Sequence, residues 1–158
     1  MKNLFFRLDE KFIHAQIIHG WLPYLNASRI IGVSEKYSGD EASKRLYLEA
    51  IPEELEGEIL SPADAAIRVG ENTQKGVTLV LFSSIGDACD YIEEGGKIGT
   101  LNLGGLYSGE NRREYLPYIH LNTEEKECLS NMAAGETDIY CQDVPLTDRI
   151  DFLGLINK

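Results

Sequence analysis

The residues best suited to chemistry lie near the N-terminus, around His14, which is one of three histidines in the chain. A short charged group, Arg7, Asp9 and Lys11, precedes it and follows an apolar run typical of a buried strand. Neutral imidazole is a good nucleophile, and neighbouring cationic groups favour its neutral form and stabilise a negatively charged phosphoryl group. This spacing therefore suits a phosphohistidine site, in which Asp9 would orient the imidazole or Arg7.

The sequence permits two placements of His14. If one helix runs unbroken from Asp9 to Trp21, the imidazole lies on the apolar face and packs in the core. If the strand ends near Asp9 and the helix begins close to His14, the imidazole faces the sheet edge. A helix N-terminus there offers unpaired backbone N–H groups that suit a phosphate, with Arg7 and Lys11 as charged donors. Asp9 could equally cap the helix or the loop.

Motifs of several other chemistries are missing from the sequence. His14 and His19 lie about 140° apart around a helix, at ~100° per residue, so they cannot easily share one metal ion. No GxxxxGK phosphate loop and no GxGxxG dinucleotide fingerprint is present, and FSSIGD lacks the GxSxG elbow of serine hydrolases. His120 lies in a strand pattern and is interpreted as structural. Neither a metal nor a cofactor is expected.

Composition sets the class of protein. A chain of 158 residues is long enough to form a single domain, 1–158, with its own core. The net charge of −11 argues against general electrostatic binding to nucleic acid or anionic lipid. Without a membrane-spanning apolar run or a signal-peptide pattern, a cytoplasmic location is expected. The odd number of cysteines without CxxC spacing predicts reduced, packed thiols at Cys89, Cys128 and Cys141.

Strand and helix patterns alternate from end to end. The strand patterns cover 3–9, 29–35, 56–60, 77–84, 97–105, 118–122 and 138–145. The helix patterns cover 16–25, 40–50, 61–70, 86–95, 123–135 and the C-terminal tail, with Ser61 and Asn122 or Thr123 as caps. This order predicts an α/β fold, a three-layer αβα sandwich with a mostly parallel, open twisted sheet of six to seven strands.

A ligand crevice in such a sheet lies beyond the carboxyl ends of the strands, where the strand order reverses. Three loops qualify by their position after strand patterns: Asp9 to His14, Ser83 to Gly86, and Asn102 to Gly105. The last of these is interpreted as a glycine turn.

The segment RLDEKFIHAQ resembles the opening of the IIB components of the bacterial sugar phosphotransferase system (PTS), mannose/fructose/sorbose class. Their pattern is approximately R-I/V-D-D/E-R-L/F-I/L-H-G-Q-V, and the residues that match it in place are Arg7, Asp9, Glu10, Ile13, His14 and Gln16. The resemblance continues through NASRII, TLVLF, the DA pair at 87–88, NLGG and DVP, so it covers nearly the whole chain.

The resemblance implies a cytoplasmic phosphocarrier. It would take a phosphoryl group from phosphorylated IIA onto His14 and pass it to a sugar delivered by the IIC/IID membrane permease, without itself entering the membrane or binding nucleic acid. The phosphate-binding residues implied are Arg7, Lys11, Ser83 and Ser84. The orienting residues implied are Asp9 and Gln16. For the two serines, the alternative is a solvated turn that caps the next helix.

Two departures from the family pattern leave other functions open. Lys11 replaces the usual arginine, which keeps the charge but loses the bidentate fork. Ala15 replaces the usual glycine, which restricts the backbone beside His14. One alternative is a regulatory IIB-like module that accepts phosphate without passing it to sugar. The other is a small-ligand-binding α/β domain in which His14 is a core residue.

Overall fold

The computed structural model describes residues 3–71 and 75–158. Its strands are β1 (Leu4–Asp9), β2 (Ala27–Val33), β3 (Glu56–Leu60), β4 (Val77–Phe82), β5 (Thr100–Gly105), β6 (Arg113–Leu116), β7 (Ile119–Leu121), β8 (Asp138–Cys141) and β9 (Ile150–Asp151). Seven of them form one sheet in the order β3-β2-β4-β1-β5-β8-β9. All neighbours in this sheet are parallel except β8 and β9. The sheet is therefore mostly parallel, as predicted.

The first helix, α1, spans 15–25 and contains a π-helical turn at Ile17–Trp21 followed by Leu22–Leu25. The other helices are α2 (Glu35–Ser38), α3 (Glu41–Ala50), α4 (Pro62–Gly70), α5 (Ile85–Glu93), α6 (Thr123–Ala134) and α7 (Phe152–Ile156). None of the described helices combines the length and apolar character needed to cross a membrane.

Helices cover both faces of the sheet because the side chains of the buried strands alternate between two hydrophobic clusters. Along β4, Leu79 and Leu81 belong to the cluster under α1, whereas Val80 and Phe82 belong to the cluster under α4 to α7. The caps at Ser61 and Asn122 are also present, the latter as a full capping box with Glu125. The predicted three-layer αβα sandwich is confirmed.

Some short elements differ from the prediction. The segment YIHLN forms β7, which pairs antiparallel with β6 in a separate hairpin rather than joining the main sheet. The elements β6, β9 and α2 have no counterpart in the sequence-based assignment. Each has at most four residues, which is too short for a periodic pattern to identify.

The cysteine prediction is wrong at two of three positions. Cys89 of α5 and Cys128 of α6 form a disulfide across a sequence separation of 39. The two helices lie side by side on one face of the sheet, and sequence spacing alone cannot reveal that proximity. Cys141 is a buried free thiol, as expected.

The strand order determines which loop lies at the ligand-binding edge of the sheet. β1 lies between β4 and β5, so the chain leaves β1 at the edge where the carboxyl ends of these three strands meet. The connection from β1 runs to β2 on one side, and the chain later crosses from β4 to β5 on the other. The loop after β1, one of the three candidate loops, therefore occupies the point where the strand order reverses.

Candidate functional site

Helix α1 begins immediately after His14 in the sequence. The His14 carbonyl accepts the N–H groups of Ile17 and Ile18, both at 3.0 Å, and helical backbone starts at residue 15. The His14 side chain is 18% exposed. The unbroken helix from Asp9 is therefore excluded, and the imidazole stands at the sheet edge beside a helix N-terminus.

Phe12 explains the path of the chain between β1 and His14. Its φ of 59° is left-handed, a conformation that costs a bulky residue about 1–3 kcal/mol. The ring is fully buried, with its centroid 5.5 Å from that of Tyr37 and 5.1 Å from that of Tyr47. Gly32 makes room for it, since a Cβ there would lie 2.6 Å from Phe12 Cζ. Phe12 therefore anchors the loop between β1 and α1 to the core, which the sequence patterns did not predict.

Asp9 holds the imidazole. His14 Nε2 lies 3.0 Å from Asp9 Oδ2, and the backbone N–H of Lys11 donates to Oδ1 at 3.0 Å. Burial alone would raise the pKa of Asp9, but the hydrogen bond from His14 and the positive charge of Arg7 outweigh it and hold that pKa below its ordinary value. Asp9 is therefore an ionised acceptor, and in a neutral His14 imidazole it favours the tautomer with the proton on Nε2 and the lone pair on Nδ1.

Arg7 is completely buried behind Asp9. Its terminal nitrogens donate to four acceptors: the side chains of Asn102 and Asp9 (3.1 Å) and the carbonyl groups of Gln142 (2.9 Å) and Asp143 (2.7 Å). The guanidinium carbon also lies 4.6 Å from the centroid of the Trp21 ring. Arg7 is thus linked to His14 through Asp9, and the buried guanidinium has no surface exposed to solvent.

Residues 102–105 are not a turn, and that interpretation is wrong. They form the end of β5 and are buried. Asn102 accepts a hydrogen bond from Arg7 and donates to the carbonyl of Gln142 at 3.3 Å. A Cβ on Gly104 would overlap the Arg7 guanidinium. Asn102 and Gly104 thus shape the arginine pocket, and the only sequence signal for this role was the NLGG match to the family pattern.

Lys11 and Gln16, two further predicted site residues, are both exposed. Lys11 Nζ lies 4.7 Å from the centroid of the Tyr107 ring. Gln16 makes no capping hydrogen bond through its side chain, so the structure brings it to the helix start without showing an orienting contact. Ala15 has helical backbone, which alanine adopts without strain. The departure from glycine is therefore accommodated.

Ser83 and Ser84 follow β4 and already have partners. Ser83 Oγ lies 2.5 Å from Asp87 Oδ2 and 2.9 Å from Ser34 Oγ. Ser84 Oγ accepts the Asp87 N–H at 3.1 Å and so caps α5. Asp87 in turn accepts the N–H of Glu35 at 3.0 Å. The capping alternative describes Ser84, and the Ser83 hydroxyl is engaged within the same network.

The other two histidines lie apart from this arrangement. His19 is exposed on α1, and His120 is buried in β7 with Nδ1 3.1 Å from the carbonyl oxygen of Leu106. Across residues 3–71 and 75–158, no group of three or more His, Cys, Asp or Glu side chains could hold a metal ion.

Comparison with known proteins gives one consistent family. The family model described as "PTS system sorbose subfamily IIB component" matches residues 3–158. The PTS system fructose-specific EIIB component of Bacillus subtilis (strain 168) is 27% identical over 153 residues, covering 96% of this chain and 94% of that protein. The PTS system mannose-specific EIIAB component of Escherichia coli (strain K12) is 25% identical over 154 residues, covering 96% of this chain but only 47% of that longer protein.

A solved structure shows the same fold. The crystal structure of the IIBSor domain of the sorbose permease from Klebsiella pneumoniae superposes with a TM-score of 0.87. The two chains are 23% identical, and the match covers 99% of this chain and 97% of the other.

Proposed function

Because the chain belongs to the PTS sorbose subfamily IIB components, and is thus a phosphocarrier of the phosphohistidine–sugar phosphotransferase class, we propose that His14 carries the phosphoryl group. One observation supports this assignment above the others. His14 is the histidine whose Nε2 lies against a buried, ionised carboxylate while its ring remains partly exposed at a helix start. This is the geometry that a nucleophilic imidazole needs.

The nucleophilic atom is Nδ1. Asp9 accepts a hydrogen bond from the Nε2–H group of His14, and no described residue hydrogen-bonds to Nδ1. The Nδ1 lone pair attacks the phosphorus of the donor phosphohistidine, the donor P–N bond breaks, and its electron pair returns to the donor imidazole. Asp9 stabilises the positive charge that develops on the His14 ring by holding the Nε2 proton.

Two further groups meet the transferred phosphoryl oxygens. The N–H groups at the start of α1 point out of the helix behind His14, and the exposed Lys11 ammonium can approach from the loop. Arg7 and Asp9 serve as positioning residues, with Arg7 fixing the carboxylate from below. The proposal does not require the hydroxyl groups of Ser83 or Ser84, because both are engaged around Asp87.

The second transfer goes to sugar. A sugar hydroxyl oxygen attacks the phosphorus, the bond to Nδ1 breaks, and the hydroxyl proton leaves to a base in the acceptor complex while His14 returns to its neutral form. We assign phosphorylated IIA as donor and the IIC/IID permease as the complex that presents the sugar, with this chain acting in the cytoplasm. The name of the E. coli relative, EIIAB, joins an A and a B component in one protein, which supports IIA as the partner.

Intact mass spectrometry under alkaline conditions tests the assignment. The wild-type protein and a His14→Gln variant are incubated with phosphorylated IIA, and His19→Gln, on helix α1, serves as the matched control. We expect one phosphoryl group on the wild type and on His19→Gln, and none on His14→Gln. Label that persists in His14→Gln would place the phosphoryl group elsewhere and remove the proposal. Adding the permease and sugar to the labelled protein separates sugar transfer from a purely regulatory role.

A further inference from the structure

Tyr107 stands beside the proposed phosphohistidine site without belonging to any motif found in the sequence. It follows β5 at the carboxyl edge of the sheet and is half-buried. Its phenol and the Asp9 carboxylate both lie close to the Cα of Gly105, where a Cβ would lie 2.7 Å from Tyr107 Cζ and 2.8 Å from Asp9 Oδ1. The same ring also lies close to Lys11, since its centroid is 4.7 Å from Lys11 Nζ. The Tyr107 side chain therefore lies next to both the orienting carboxylate and the exposed cation.

The backbone of Tyr107 is fixed from two sides. Its N–H donates to Glu10 Oε1 at 2.9 Å, and its carbonyl accepts from Arg112 Nη1 at 2.7 Å. Glu10 belongs to the same loop as His14, and its own N–H donates to the Gly105 carbonyl at 2.9 Å. The His14 loop and the Tyr107 segment are thus held in register by reciprocal hydrogen bonds.

Arg112 completes this attachment with a bidentate fork. Its Nη1 and Nη2 donate to the two carboxylate oxygens of Glu10, each at 2.7 Å, and its Nε donates to Glu125 Oε1 at 3.0 Å. These hydrogen bonds with Glu10 and Glu125 raise the pKa of Arg112. Because Glu125 is also part of the capping box of α6, the segment that carries Tyr107 is anchored to a rigid helix end.

The surroundings of Tyr107 keep its hydroxyl group a hydrogen-bond donor at neutral pH. Burial, together with the nearby Asp9 carboxylate, raises the pKa of Tyr107 to about 12. The phenol therefore keeps its proton throughout the neutral range and is placed to donate it to the Asp9 carboxylate. Oδ2 of the same carboxylate remains available to His14 and Arg7.

We propose that Tyr107 is a positioning residue for the phosphoryl transfer at His14, an inference that rests on the function proposed above. Its hydroxyl fixes the rotation of the Asp9 carboxylate, and that carboxylate fixes the tautomer and direction of the imidazole. Its ring holds the Lys11 ammonium by a cation–π contact, at a place from which it can meet the phosphoryl oxygens. The two contacts are separable by substitution.

Three variants test this proposal on the full chain. Tyr107→Phe keeps the ring and removes the hydroxyl, Tyr107→Leu removes both contacts, and Tyr24→Phe is the control on the exposed tyrosine of α1. In single-turnover transfer from phosphorylated IIA, we expect Tyr107→Phe to slow uptake about three- to tenfold, the equivalent of one hydrogen bond. Tyr107→Leu should be slower again, and adding Lys11→Met to it should cause little further loss.

A second readout needs no phosphorylation. In ¹⁵N spectra of the imidazole, the wild type should hold neutral His14 in the Nε2–H tautomer, and Tyr107→Phe should raise the share of the Nδ1–H tautomer. Uptake within twofold of the wild type in both Tyr107 variants, or an equal loss in Tyr24→Phe, would overturn the positioning role. If the wild type takes up no phosphoryl group, the proposed function fails, and the tautomer shift alone decides the role of Tyr107.

Discussion

Two polar networks lie at the same edge of the sheet, and they end differently. The Arg7 network joins β1, β5 and the segment after β8, and it leads through Asp9 to the partly exposed imidazole of His14. The Ser83 network joins the ends of β2 and β4 to α5 through Ser34 and Asp87. It closes on itself, because its members bond one another or cap helix ends.

The contrast shows why polar residues after a buried strand do not by themselves indicate chemistry. Both networks pair most of their buried polar atoms, although Arg7 Nε is buried without a hydrogen-bond partner among the described residues. Of the two, the Arg7 network alone ends in a partly exposed imidazole, that of His14. Its Nε2 is hydrogen-bonded to Asp9, and its Nδ1 has no hydrogen-bond partner among the described residues. Substitutions that remove a hydrogen-bonding side chain should therefore lower stability in both networks, but should affect phosphoryl transfer only in the Arg7 network.

Removing Arg7 should have the largest effect. In Arg7→Met, the buried Asp9 carboxylate and two backbone carbonyls lose their cationic partner. We expect the free energy of unfolding to fall by about 3–5 kcal/mol, as for other broken buried ion pairs. Urea denaturation measures this loss. A variant as stable as the wild type would show that the guanidinium does not support the site.

Breaking the other network should cost stability without affecting transfer. Asp87→Ala removes the acceptor for the Glu35 N–H and for Ser83. We expect a loss of about 1–3 kcal/mol in urea denaturation, because buried donors are left unsatisfied. Phosphoryl uptake, measured at a temperature where the variant is folded, should stay near that of the wild type. Loss of uptake by the folded variant would mean that the Ser83 network belongs to the chemistry.

Ser83→Ala probes the same question with a smaller change. The hydrogen bonds of Ser83 Oγ with Asp87 and Ser34 are lost, so we expect about 1–2 kcal/mol of destabilisation and phosphoryl uptake within twofold of the wild type. Single-turnover transfer from phosphorylated IIA measures the rate. A tenfold slower transfer would instead support the phosphate-binding role that the family resemblance implies for this serine.

The pH dependence that Asp9 contributes to stability should appear only in acid. Because the pKa of Asp9 is lower in the folded protein than its ordinary value of 3.8, its stabilising contribution is complete above that value. The contribution is lost as the pH falls through the lower, folded pKa. Urea denaturation between about pH 5 and pH 2 should show this acid-dependent loss in the wild type and a smaller one in Asp9→Asn. Equal acid dependence in both proteins would contradict it.

The sequence predicted the layers of the fold, because alternating apolar patterns are local signals. It singled out His14 through the RLDEKFIHAQ motif but left two placements of that side chain open. It did not predict what surrounds Arg7. Asn102, Gln142 and Asp143 are far from Arg7 in sequence, and they meet it only because β5 and β8 are neighbours of β1 in the folded sheet. The disulfide of Cys89 was missed for the same reason.

Loop conformation was equally hidden. The left-handed φ of Phe12 depends on a pocket formed by Gly32 and two tyrosines, which no propensity scale can supply. Tyr107 and Arg112 lie in a segment without a periodic pattern, and their contacts with Glu10 form only in the folded chain.

The most direct test of the central claim is the attachment point of the phosphoryl group. The ¹⁵N-labelled protein is phosphorylated by IIA and examined by NMR at alkaline pH, where phosphohistidine is stable enough to observe. Because Asp9 occupies Nε2, a phosphoryl group bonded to Nδ1 of His14 is the predicted result. Attachment at Nε2 of His14, or at any other residue, would contradict the geometry on which the proposed mechanism depends.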